Sequence, residues 1–102
     1  MYTNSKRILW DSDKAAKNLS DHGVSFEFAK DVFFDGFALE SYDAEHSATE
    51  DRYRILGRIG ENILHVVYTE TEEWIRLISA RPAERMERKR YYENEKEQSD
   101  GS

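Results

Sequence analysis

A chain of 102 residues with 15 Lys and Arg against 21 Asp and Glu is sized for one domain and carries a net charge of −6. It has no cysteine, which excludes disulfides and thiolate metal sites. No apolar run reaches signal-peptide or membrane-spanning length, so a soluble cytoplasmic protein without membrane contact is expected. The acidic total argues against a simple nucleic-acid binder. Its distribution is uneven, however: residues 52–90 hold nine Lys and Arg against six acids. A polyanion responds to the field of a cleft more than to the total charge.

In chain order, Ile8-Leu9-Trp10 reads as a short strand. Asp11, Ser12 or Asp13 can cap a helix over Asp13 to Asp21, with Gly23 stopping it. Ser25 is placed to cap a second helix from Phe26 to about Phe34, ended by Asp35-Gly36. Phe37 to Tyr42 follows as a strand, and Asp43 to Asp51 has no periodicity and reads as an exposed loop. From Arg52 to Ile59 the period is two, with Tyr53, Ile55, Gly57 and Ile59 on one face and Arg52, Arg54 and Arg58 on the other. Ile63 to Thr69 is the most apolar strand and the candidate sheet centre, and Trp74 to Ala80 is the last. Short turns between these strands make an antiparallel meander the economical topology.

Pro82 suits the first position of a terminal helix running to about Glu95. The expected architecture is α+β: an antiparallel meander with two N-terminal helices and one C-terminal helix. Residues 1–93 form its single domain, and residues 94–102 form a disordered acidic tail.

The densest candidate for chemistry is the join between the last strand and the last helix. On one helix, Arg81, Arg85 and Arg88 fall at i, i+4 and i+7, with Tyr92 continuing the row. Aligned guanidinium groups suit phosphate because each offers a planar fork of donors, and a solvated helix face is the alternative. His22, at a helix end, reads as a carbonyl-bonding cap, and His65 as a core-edge histidine. His46, in the acidic loop, is the histidine most open to acid–base work. The loop acids Asp43, Glu45, Glu50 and Asp51 match no closed metal motif, and no metal or cofactor is expected.

These residues resemble the BrnT toxin family. The likeness runs from Trp10-Asp11, Lys14 and Asn18 through His22-Gly23-Val24, Phe26-Glu27, Ala29, Val32-Phe33 and Asp35. It resumes at His46-Ser47, Glu50, Arg52 and Gly57. It is sharpest in Val66 to Thr69 and Ile75 to Arg81, with Ala83, Glu87 and Tyr91-Tyr92-Glu93 beyond. The chain departs from the family in Asp21, where many relatives carry a basic residue, and in Pro82. The resemblance implies a RelE-like fold, ribonuclease activity and neutralisation by a BrnA-type ribbon-helix-helix antitoxin. It implies that the complex represses its own operon, reaching operator DNA only through the antitoxin, and a homodimer or hetero-oligomer is open.

For RNA cleavage, Arg81 and Arg85 are expected to stabilise a phosphorane with Arg52 as a helper, His46 or Glu50 to act as base, and Tyr92 to act as acid or phosphate donor. Arg52, Arg76, Arg88 and Lys14 are expected to bind RNA. Two other readings stand beside this one: a non-catalytic corepressor module, favoured by the acidic charge, and a metal nuclease built on the Asp43–Asp51 loop.

Overall fold

The computed structural model describes residues 6–100. Five strands form one sheet in the order β1-β5-β4-β3-β2. They are β1 (Arg7–Leu9), β2 (Leu39–Tyr42), β3 (Tyr53–Ile59), β4 (Asn62–Glu70) and β5 (Trp74–Pro82). The meander β2 to β5 is antiparallel, with β4 at its centre, as the run of apolar residues 63–69 requires. The sheet as a whole is mixed, because β1 joins β5 in parallel, pairing Arg7 with Trp74 and Leu9 with Arg76.

Helix α1 (Ser12–His22) begins where the Asp11 carboxylate accepts the Lys14 amide proton at 2.9 Å, and ends at Gly23 with φ of 68°. Ser25 Oγ caps α2 (Phe26–Ala29) by accepting the Phe28 amide proton at 3.0 Å. The second helix is shorter than its pattern suggests. From Lys30 to Phe34 it tightens into a 3₁₀ turn that presses Val32 onto β3. At that contact only a glycine fits, since a Cβ on Gly57 would lie 2.6 Å from Val32 Cβ.

The principal core lies between this helical layer and one sheet face. It includes the fully buried Phe26, Val32, Ile55, Val66, Tyr68, Ile75 and Leu77. Beside it, β1 pairs with only the first residues of β5, and α1 makes good the missing neighbour further along. The buried Asn18 accepts the Ala80 amide proton at 3.0 Å and donates Nδ2 to the Ala80 carbonyl at 2.8 Å and to that of Val24 at 2.9 Å. One side-chain amide thus satisfies both backbone groups of a buried strand residue.

Two expectations at the C-terminal side are corrected. Pro82 does not open a helix; it closes β5, opposite Leu64. The Ala83 amide then bonds the Ile63 carbonyl at 2.8 Å, so the N–H that Pro82 lacks falls on the unpaired side of the strand, where its loss costs little. Helix α3 starts later, at Arg85, and continues to Asp100, so residues 94–100 of the expected tail are helical. Glu, Lys and Gln over residues 95–98 are good helix formers despite being largely solvated. Residues 101 and 102 of that tail lie outside the described residues.

α3 packs on the opposite sheet face from α1 and α2, around a second cluster of Leu56, Ile63, Ala83 and Tyr91. The Tyr91 hydroxyl donates to Asp35 Oδ2 at 2.6 Å, and the same oxygen accepts the Arg58 amide proton at 2.8 Å. Burial and the bond to Asp35 push the Tyr91 phenol above its ordinary pKa.

Gly57→Ala is expected to lower unfolding stability by about 1–3 kcal/mol, because overpacking there forces β3 and the 3₁₀ turn apart. Urea unfolding checks this, and a midpoint equal to the parent's contradicts it.

Candidate active site

The sheet face that carries α3 is built by strand alternation. Partners across the sheet share a side, so Ser41, Arg54 and Val67 line up, as do Leu39, Leu56 and His65. His65 is in turn paired with Arg81. Arg81 reaches this face through an irregularity in β5. Tyr68 pairs with Leu77 but Val67 pairs with Ser79, leaving Ile78 as an extra residue. An unbroken period of two would put Arg81 with Ile75 and Leu77 in the core. The bulge reverses the phase and turns Arg81 to the side of His65.

There a hollow of about 90 Å³ is lined by Leu39, Glu40, Ser41, Arg54, Leu56, His65, Glu87 and Arg90. Arg81 is not part of the lining; it holds the lining Glu87 by a fork of two bonds, Nη1 to Oε1 at 2.8 Å and Nη2 to Oε2 at 3.0 Å. Oε1 also accepts the Glu84 amide proton at 2.8 Å, which fixes the carboxylate at the start of α3. These bonds, that of Arg81 first, hold the Glu87 carboxyl at a pKa of about 2. His65 Nε2 lies 3.9 Å from Glu87 Oε2. Burial, and secondly the Arg81 guanidinium, push the His65 imidazole below its ordinary pKa, with Glu87 opposing in part. Both effects favour the neutral imidazole. Arg54 and Arg90 have no carboxylate partner among the described residues.

The expected site residues are distributed more widely than a single helical row. Arg81 stands on β5 and Arg85 and Arg88 on α3, which corrects the i, i+4, i+7 arrangement. Arg88 bonds the Ala83 carbonyl at 2.8 Å, and it lies about 200° around the helix from Arg90, away from the hollow. Arg85 is exposed and lines no part of the hollow. Tyr92 is half-exposed and packs edge-on against Tyr91 at 5.6 Å between ring centres.

Arg76 shares the sheet face of Arg81, opposite Thr69, and donates Nη2 to both Glu50 oxygens at 2.8 Å. His46 is tied by Nδ1 to Asp43 Oδ2 at 3.0 Å, in a short 3₁₀ turn over Ala44–His46. The loop is less open than its sequence suggests: Asp43 is buried, and Asp51 accepts the Tyr42 hydroxyl proton at 2.8 Å. Arg52 precedes β3, its amide bonded to Ser47 Oγ at 2.9 Å, with a buried Nε that finds no partner. Lys14 is on α1, in a separate shallow depression with Lys17, Asp21 and Ser79.

Sequence reasoning missed His65, Glu87 and Arg90 as members of one site. Arg54 was visible in the alternation of β3, and His65 as a polar break in an apolar strand. Nothing local announces the bulge that brings Arg81 to them.

A family model described as the ribonuclease toxin, BrnT, of type II toxin–antitoxin systems matches residues 10–87. The chain belongs to this family. The matched span includes Arg54, His65, Arg81 and Glu87 and stops before Arg90. As a BrnT-family ribonuclease toxin, the protein has an RNA target and an antitoxin partner. Among curated proteins, no relative matches the chain. Among the described residues, no helix is long and apolar enough to cross a membrane.

The Glu87 carboxyl titrates below an ordinary glutamate, so its contribution to stability is complete above about 4.5 and is lost as pH falls toward about 2. Acid unfolding followed by circular dichroism should show this loss, and Glu87→Gln should flatten that part of the profile. An identical acid limb in the variant contradicts the assignment.

Proposed function

We propose that this BrnT-family chain is a metal-independent endoribonuclease that cuts RNA in the hollow between β2, β3, β4 and α3. The observation that carries the reading is the convergence there of the His65 imidazole with Arg54 of β3 and Arg90 of α3, beside a Glu87 that Arg81 of β5 holds. Neutral His65 is suited to take the proton from a ribose 2′-hydroxyl. The freed oxygen attacks the adjacent phosphorus, the bond from phosphorus to the 5′-oxygen breaks, and that oxygen takes a proton from solvent on the open side.

The phosphorane gains negative charge in this step, and donors already in place stabilise it without reorganising. Arg54 and Arg90, which line the hollow, fill that role, with Arg81 adjoining it through Glu87. This moves the base from His46 or Glu50 to His65, because His46 and Glu50 are engaged with Asp43 and Arg76. Arg76 and Arg52 remain suited to backbone phosphates on either side of the cut, since phosphate contacts position a strand without reading its bases.

A BrnA-type ribbon-helix-helix protein would neutralise the toxin in the cytoplasm and carry the pair to operator DNA. The exposed outer edge of β2 and the solvated side of α3 are open to such a partner. The net charge of −6 favours a second reading, a corepressor that shapes the antitoxin on DNA without cutting RNA.

Single-turnover cleavage of a synthetic RNA should proceed undiminished in excess chelator. It should fall by about 10²-fold or more in His65→Asn, a variant whose fold is checked by circular dichroism. Equal rates for parent and variant would remove His65 from the mechanism. A parent that leaves RNA intact would leave the corepressor.

A further inference from the structure

The fork on Arg81 is already filled. A guanidinium offers two parallel donors to two oxygens held in a plane, and a carboxylate and the non-bridging oxygens of a phosphodiester present that pair alike. In this hollow, Glu87 Oε1 and Oε2 take both donors, at 2.8 and 3.0 Å. A third bond, from the Glu84 amide, orients the carboxylate. Arg58 and Arg76 on the same sheet face also hold internal carboxylates, Glu95 and Glu50. Of these three acids, only Glu87 lines the hollow with His65.

We propose that Glu87 occupies the seat of a substrate phosphate on Arg81, so that RNA binding exchanges one anion for the other and Glu87 sets the affinity. The inference rests on the hollow being the RNA site. The geometry also supplies a destination for the displaced carboxylate. Arg90 lies three residues further along α3, lines the same hollow, and has no carboxylate partner among the described residues. Residues at that spacing are neighbours on a helix surface. The swing leaves Glu87 paired with Arg90 while the phosphodiester takes the Arg81 fork beside the His65 imidazole. Glu87 is therefore a positioning residue: it keeps the fork aligned when the site is empty and competes with substrate when RNA arrives.

The competition has a size that a structural salt bridge does not share. Removing the charge of a merely structural carboxylate tightens RNA only through the general loss of one negative charge, an effect that Glu95→Gln on the same helix shares and that salt screens. Removing a competitor tightens it further. The test is fluorescence anisotropy at neutral pH with a labelled 2′-O-methyl RNA, which lacks the attacking hydroxyl and stays intact.

Glu87→Gln is expected to bind roughly tenfold more tightly than the parent or better, and Glu87→Ala to shift in the same direction. On the parent itself, the Glu87 carboxyl carbon resonance should move as the RNA is titrated. Equal or weaker binding by both variants, tightening no greater than that of Glu95→Gln, or a stationary Glu87 resonance while RNA binds, would overturn the exchange and leave the nuclease reading intact. A parent that neither binds nor cuts RNA would overturn both.

Discussion

One extra residue in β5 decides which side of the sheet Arg81 faces. With Ile78 accommodated as a bulge, the strand delivers Ile75, Leu77 and Ala80 to the core and Arg76, Ser79 and Arg81 to the opposite face. Without it, the phase fixed by Ile75 and Leu77 would carry Arg81 into the apolar layer under α2, where a guanidinium has no compensating partner. The core therefore enforces the bulge. The cost of the irregular ladder falls in a strand whose edge is already tended by Asn18, which bonds both backbone groups of Ala80. Fold and site are joined at this point, because the packing that makes the core also aims the arginine.

The second joint is between β5 and α3. Helix α3 meets the body through Tyr91 and Asn94 in its middle and through Glu87 at its start. The Tyr91 hydroxyl, the Arg58 amide and the Phe37 amide all converge on the Asp35 carboxylate, which ties the helix to the turn before β2. Glu87 then locks the first turn of α3 to Arg81. That bridge is half-buried, so its net contribution to stability is smaller than its geometry suggests. Its larger consequence is placement, since it stands the Glu87 carboxylate between Arg81 and the His65 imidazole of the polar hollow. The acidic net charge is reconciled with an RNA-directed surface in the same way. Internal carboxylates neutralise three arginines of this sheet face, and Arg54 and Arg90 remain for a polyanion.

Much of the fold was legible in the sequence, and the site was legible only in part. Period-two alternation over residues 52–59, the apolar run 63–69 and the caps at Asp11, Gly23 and Ser25 marked the meander and first helix. The parallel pairing of β1 was not marked, because three residues carry too little pattern to say whom they join. Arginines at residues 81, 85 and 88 read as a helical row because Pro82 resembles a helix opener. The chain instead spends Pro82 on the side of β5 that β1 leaves unpaired, and the backbone that decides this is the Ala83 bond to Ile63 across the sheet. His65 was legible as a residue and not as a role. A histidine in an apolar strand is usually core, and only the bulge, 13 residues later in the chain, gives it Arg81 as a neighbour.

RNA is proposed to meet the protein at the hollow lined by Arg54, His65, Glu87 and Arg90, with Arg81 bonded to Glu87. Backbone and side-chain NMR shifts, mapped while an uncleavable RNA is added, test it most directly. The shifts should cluster at β3, β4, the end of β5 and the first turns of α3, with His65 and Arg81 among the most perturbed. Shifts confined to the loop around His46, or to Lys14 and its neighbours on α1, would contradict it.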